Sequence, residues 1–106
     1  STTESVDQLE QLFGFGELDE VPYLTREGRF RYPSNAPRGR GEAYVRLLVI
    51  VEKTGEVMVQ EVVDFSHREF VVPATRMAED SRFSPPSRNG QAVRSRYEWP
   101  IRIPLR

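Results

Sequence analysis

The end of the chain alternates with a period of two. Val93, Ser95, Tyr97, Trp99, Ile101, Ile103 and Leu105 share one parity, and Arg94, Arg96, Glu98, Pro100, Arg102, Pro104 and Arg106 share the other. Over residues 93–106 this predicts one β-strand with an apolar face and a wet face. Two of the wet positions, four residues apart, are proline. Backbone groups at such positions point to the same lateral neighbour, and proline has no N–H to offer there. Proline is tolerated on an edge strand with its bare side outward. The chain is therefore expected to finish on a sheet edge, where a second chain can add a strand.

The rest of the composition limits what surrounds that strand. A chain of 106 residues with 38% hydrophobic and 29% charged residues builds one globular domain with a modest core. There is no cysteine, hence no disulfide and no marker for an oxidising compartment. The longest apolar run, residues 47–51, is far short of the ~20 needed to span a bilayer. A first residue of serine, with no leader pattern after it, is what a piece of a longer protein would show. The net charge of −1 hides an asymmetry: residues 1–20 hold six acids and no base, while residues 82–106 hold six arginines against Glu98. A basic terminal strand suits an acidic or acceptor-rich partner; a solvated face explains the same charges.

Along the chain, Val6, Leu9, Leu12 and Phe13 stand at helical spacing and predict a short N-terminal helix, interrupted at Gly14 and Gly16. Leu18 to Tyr23 is expected to run extended because of Pro22. Tyr32 to Ala36 could form one helical turn with Pro33 first. Residues 43–52 predict a strand with Ala43, Val45, Leu47, Val49 and Val51 on one face. A short loop at 52–55, with Gly55 at positive φ, leads into a second strand at 56–65, bulged near Gln60 and Glu61. Phe70, Ala74, Met77 and Ala78 give a helix over about 72–81 a buried face. Arg88-Asn89-Gly90 turns the chain into the terminal strand. Returning beside the first strand makes that strand antiparallel to it. The expected fold class is α+β: a three-stranded antiparallel sheet, order 2-1-3, packed on one main helix and a short N-terminal helix. Residues 1–31 form an extension and residues 32–106 the domain.

Candidate sites are few. His67 is the single histidine. With Asp64 and Glu61 it falls short of a closed four-ligand zinc site. Ser66 and His67 are chain neighbours, which rarely face each other as nucleophile and base. Gly39-x-Gly41 lacks the lysine and the preceding strand of a phosphate loop. No enzyme, cofactor or metal is predicted. Single-stranded nucleic-acid binding is a rival from another class, because Arg38, Arg40, Arg46, Arg94, Arg96 and Arg102 interleave with Tyr44, Tyr97 and Trp99. Against it, the parity of the last strand puts its aromatics and arginines on opposite faces. Tyr44, Leu48 and Ile50 make the far side of the first strand more apolar than a wet face requires. That predicts cover by Phe13, Phe15, Leu18 and Val21, or a homodimer contact.

Several motifs stand in order: Tyr32-Pro33 with Ala36, the valine-rich strand at 45–51, Gly55-x-Val57, Arg82-Phe83-x-Pro85, Asn89-Gly90-x-x-Val93 and Pro100-Ile101-x-Ile103. Together, over residues 32–105, they resemble the C-terminal domain of the TonB energy-transducer family. Three positions depart from the family pattern: Ala43 where glycine is usual, Ser81 where an aromatic is common, and Gln60 where an apolar residue is common. The resemblance implies a periplasmic domain, tethered to the inner membrane by an N-terminal anchor that would meet an ExbB/ExbD-type complex. It further implies pairing of the last strand with a short peptide of an outer-membrane TonB-dependent transporter, and transmission of force to that transporter. A TonB- or TolA-like interaction domain with a different partner is the alternative. The partner-binding residues expected on this basis are Val93, Arg94, Ser95, Arg96, Tyr97, Glu98 and Trp99, together with Tyr32 and Pro33. Bonding from the N–H groups of Arg94, Arg96 and Glu98, lost at Pro100 and Pro104, centres the docking near 92–98.

Overall fold

The valine-rich segment forms the middle of the molecule because both of its edges are paired. In the computed structural model, whose described residues are 11–106, strand β3 (Glu42–Val51) lies between β4 (Val57–Phe65) and β8 (Ser95–Pro104). It is antiparallel to both. A two-residue strand, β1 (Phe13–Gly14), runs parallel to β8 on its far side, so the sheet order is β1-β8-β3-β4. Strand β2 (Leu24–Arg26) pairs with β5 (Arg82–Phe83), and β6 (Ser87–Arg88) with β7 (Gln91–Ala92), as separate two-stranded ladders.

The three long strands have the expected order, but the sheet is four-stranded and mixed, not three-stranded and antiparallel. No α-helix precedes the main one among the described residues. Phe13 lies in β1, and a 3-10 turn (Phe15–Glu17) follows it. Two glycines in this stretch weaken any helix, and Phe13-Gly14-Phe15 suits an extended chain laid along an edge. The part of the expected helix at Val6 and Leu9 lies outside the described residues. Tyr32 to Ala36 makes a single turn, closed by the Ala36 N–H on the Pro33 carbonyl at 3.0 Å.

The main helix, α1 (Val71–Asp80), is preceded by a 3-10 turn (Arg68–Phe70). Pro73 sits within its first turn, where no intrahelical N–H is required. Helix α1 turns Ala74, Met77 and Ala78 onto the sheet. There they join Phe70, Phe83, Ile101, Ile103 and the odd-numbered β3 residues in one core. Its C-terminus is fastened by Ser81, which is fully buried. The Ser81 hydroxyl donates to the Met77 carbonyl and accepts the Gly28 N–H, both at 2.8 Å. Gly28 comes so close that a Cβ there would meet the Met77 carbonyl oxygen at 2.1 Å. A small hydroxyl residue at 81 is what allows this crossing of chain and helix end.

The β3–β4 hairpin closes with the Gly55 N–H on the Glu52 carbonyl and the Glu52 N–H on the Glu56 carbonyl, both at 2.8 Å. Gly55 has φ +92°. Strand β4 carries two bulges where one was expected. Leu48 faces Glu61 and Val49 faces Val59, leaving Gln60 unpaired; Arg46 faces Asp64 and Leu47 faces Val62, leaving Val63 unpaired. The bulge explains a polar residue at 60, whose side chain is exposed.

Candidate functional site

Strand β8 has the two faces its parity predicts. Ser95, Ile101 and Ile103 are buried, and Tyr97 and Trp99 are half-buried. The latter two rings pack on Phe83 at centroid distances of 6.2 and 5.4 Å. Arg96, Glu98, Pro100, Arg102 and Pro104 are exposed. The lateral direction of the even-numbered backbone groups is set by one contact: the Phe13 N–H donates to the Arg94 carbonyl at 3.2 Å, on the side away from β3. The N–H of Arg96 and Glu98 therefore also faces outward, and so do the bare nitrogens of Pro100 and Pro104. The strand begins at Ser95 rather than at Val93. Val93 instead bonds the Pro86 carbonyl at 3.0 Å, and the Arg94 guanidinium grips Glu52 through two bonds of 3.0 Å.

The edge is not bare. Phe13 and Gly14 stand opposite Ser95 and Arg96, on the part of the strand free of proline. Phe15 follows, stacked on Tyr97 at 4.4 Å with the rings 3° from parallel, and edge-on to Phe83 at 5.7 Å. The Arg88 guanidinium lies 4.7 Å from the centre of the Phe13 ring and 3.6 Å from the Glu17 carboxylate. Asp19 completes the attachment: its two carboxylate oxygens accept the N–H groups of Asn89 and Gly90 at 2.8 and 3.0 Å. Both of those residues have positive φ, in the two-residue turn between β6 and β7, which suits Asn-Gly.

These bonds have a pH consequence. The Gly90 and then the Asn89 backbone N–H hold the Asp19 carboxyl below its ordinary 3.8. A carboxylate whose pKa is depressed by folding stabilises the fold above the ordinary value, and that contribution is lost as pH falls through the depressed one. A carboxyl-carbon NMR titration should place the Asp19 midpoint below 3.8, with the amide shifts of residues 13–17 following it. A midpoint at or above that value contradicts the anchor.

On the other face of the sheet, a polar chain crosses three strands. The Tyr44 hydroxyl donates to Asp64 at 2.9 Å, and Arg46 reaches Asp64 at 3.1 Å and Glu98 at 3.4 Å. The Tyr44 hydroxyl, then the Phe65 N–H and Arg46, lower the Asp64 carboxyl, while the same bond raises the Tyr44 phenol. The cover expected from Phe15 does not form on this face, because Phe15 packs on the helix side against Tyr97 and Phe83, and Val21 is 68% exposed. The cation–aromatic interleaving of the nucleic-acid reading is likewise divided. Tyr97 and Trp99 turn to Phe83, while Arg46 and Arg94 are engaged by carboxylates.

Tyr32 and Pro33 lie elsewhere. Tyr32 packs edge-on against Phe30 and Phe70, donates its hydroxyl to the Pro104 carbonyl, and carries the Arg106 guanidinium 3.8 Å above its ring. Ser95 and Pro104 are the two ends of a strand roughly 30 Å long at ~3.4 Å per residue. Residues 93–99 and the Tyr32-Pro33 pair are thus brought to opposite ends of β8. Ser66 and His67, expected not to face each other, do meet: Ser66 Oγ lies 2.8 Å from His67 Nδ1. The same Ser66 oxygen accepts the Tyr44 N–H at 2.9 Å, and the imidazole packs on Phe70. Among the described residues no three of His, Asp and Glu converge as metal ligands. No helix among them is long and apolar enough to cross a membrane.

Sequence reasoning missed the attachment of residues 13–19. Its one local signal was the alternation of Phe13 and Phe15. The profile of the family described as Gram-negative bacterial TonB protein C-terminal matches residues 28–103. Among curated proteins and among solved structures, nothing matches.

Proposed function

The chain belongs to the TonB C-terminal family, a family of periplasmic protein-interaction domains, and from that premise we propose what it does with the edge of β8. It pairs this edge with a short extended peptide of an outer-membrane transporter and passes force to it from the inner membrane. The observation that carries this reading is the pairing of β1 with β8: the outer side of the strand accepts a parallel strand at Ser95 and Arg96. Outward N–H groups at Arg96 and Glu98 supply main-chain bonds, each worth ~1 kcal/mol net. Exposed Arg96, Glu98 and Arg102 adjust preference among guests. The half-buried rings of Tyr97 and Trp99 stiffen the strand from below. Tyr32 and Pro33 serve as a second contact at its far end.

Titration of the chain with candidate transporter peptides, followed by amide shifts, tests the mode directly. Shifts are expected first at residues 94–98; peptide binding that leaves these amides unmoved sinks the proposal. Arg96→Pro removes an outward N–H without touching the β3 ladder, and should weaken binding about fivefold or more, from one lost bond of ~1 kcal/mol plus the ring's obstruction. Arg102→Ala should change it less than twofold. Equal effects of the two substitutions would place the guest elsewhere.

A further inference from the structure

A guest strand would find this edge already occupied. Phe13–Gly14 covers Ser95 and Arg96, and beyond them the outward positions are Glu98, Pro100, Arg102 and Pro104. The stretch with consecutive N–H groups to offer is the stretch the chain itself takes. A guest and residues 13–19 therefore cannot both use it.

The attachment is short, with Phe13, Gly14 and Phe15 half-buried and Gly16, Glu17 and Asp19 exposed. It has two residues of ladder, and its backbone bond to Arg94 is long at 3.2 Å. A second backbone bond, from the Asp19 N–H to the Ser87 carbonyl at 2.9 Å, closes the far end. The rest is side chains at the rim: Phe15 on Tyr97, Arg88 on Phe13 and Glu17, and Asp19 on the Asn89-Gly90 turn. Two glycines flank Phe15, and neither is there for want of space. A Cβ on Gly16 would meet nothing within 4 Å, and one on Gly14 would meet only Glu17 Oε1 at 3.5 Å. Neither has positive φ. Glycine at such positions, one in the strand and one in the 3-10 turn, costs an ordered segment ~0.5–1 kcal/mol relative to alanine through the freedom it loses on ordering. The segment recognises the edge through the Phe15 and Asp19 side chains, while its backbone is tied down only at its two ends, Phe13–Gly14 and Asp19.

We propose that residues 13–19, the short strand β1 with the turn that follows it, are a displaceable internal segment, replaced by a partner segment that runs parallel to β8 and sets a flat side chain on Tyr97 where Phe15 stacks. The inference rests on the reading of this edge as the docking edge, and adds the guest's direction, its aromatic position and its competitor. A tethered competitor acts at an effective concentration on the order of millimolar. The apparent affinity for a guest falls by the fraction of time the edge is open. Partners with a weak match are excluded, and a matching one must supply more than Phe15 and Asp19 together.

The probe is a labelled peptide with the sequence of residues 11–19, added to the full chain. Asp19→Ala, which frees the turn N–H groups, should bind the peptide roughly tenfold more tightly than the unmodified chain, and Gly14→Ala/Gly16→Ala, which steadies the internal strand, several-fold more weakly. Identical affinities in the three chains, or no binding even to Asp19→Ala, overturn the proposal. Hydrogen exchange on the unmodified chain guards against misfolded variants. The Arg96 amide should open on the order of 100-fold more often than that of Val49, as expected of a sub-global opening; equal protection shows that the strand is a fixed part of the fold. Transporter peptides in the same assay separate the two readings. If they bind the unmodified chain and Asp19→Ala alike, the internal competitor falls and the docking edge stands. If the 11–19 peptide binds the freed edge and no transporter peptide does, the competitor stands and the transporter reading falls.

Discussion

Phe70→Ala should remove about 3–5 kcal/mol of stability, the cost of emptying a buried aromatic site that cannot collapse. Phe70 has no exposed surface and stands where helix α1 begins, beneath the turn that carries Tyr32. Its ring is 6.0 Å from Phe30, 6.1 Å from Tyr32 and 5.9 Å from His67, the last two edge-on. Each of those neighbours is itself partly exposed, so none can slide inward to refill the space without uncovering more of the core. For a domain of this size, that loss corresponds to a fall in Tm of more than ~10 °C. Equilibrium unfolding in urea measures it. Val72→Ala, two residues away and 56% exposed, should stay within ~0.5 kcal/mol. A loss below ~1 kcal/mol at Phe70 would mean that the core is centred elsewhere.

The second large effect concerns a backbone contact. Gly55 has φ +92°, and a Cβ there would lie 2.0 Å from the Phe83 carbonyl oxygen. The same residue accepts the Phe83 N–H at 2.9 Å. Alanine would therefore meet two penalties. The left-handed conformation costs ~1–2 kcal/mol, and the clash must be relieved by moving either the hairpin or β5, at ~1–3 kcal/mol more. Gly55→Ala should destabilise by about 3 kcal/mol. Gly41→Ala isolates the first penalty, because Gly41 has φ +87° with nothing within 4 Å of a Cβ. The two variants should differ by the clash alone. If they lose the same stability, the hairpin tip is free to move away from Phe83.

Much of this fold was legible in the chain, for reasons that differ between elements. The terminal strand and β3 declared themselves because a strand buried on one face repeats every two residues over ten positions. The edge was legible only in part: Pro100 and Pro104 mark the half of β8 that no strand covers, but β8 is not the border of the sheet, because β1 pairs with Ser95 and Arg96. Helix α1 was found within a residue of its bounds, since Phe70, Ala74, Met77 and Ala78 all reach the core. The short strand β1 was missed because two residues carry no period of their own, and Phe13 also fitted a helical spacing with Leu9 and Leu12. The anchors of that strand left no local trace. Asp19 meets a turn about seventy residues away, and Ser81 meets Gly28 across more than fifty. Such polar pairs are formed by the packing of elements and have no pattern along the chain. Tyr32 shows the converse: its place in a family motif was plain, while its bond to Pro104 and its stack beneath Arg106 needed the fold.

The two bulges of β4 bear on a different matter, the number of strands this sheet can take up. A sheet has two borders, and a protein with both open can be extended from either side, copy after copy. Here Gln60 and Val63 interrupt the regular spacing of amide and carbonyl groups along β4, and a bulged strand twists away from any flat neighbour. Growth on that side is stopped by geometry, although Met58, Val62 and Phe65 there are more than a third exposed. The opposite border is β1 over Ser95 and Arg96, and beyond it the part of β8 that Pro100 and Pro104 strip of N–H groups. On the docking mode proposed above, the domain is a terminus in both directions and takes one extended segment at a time.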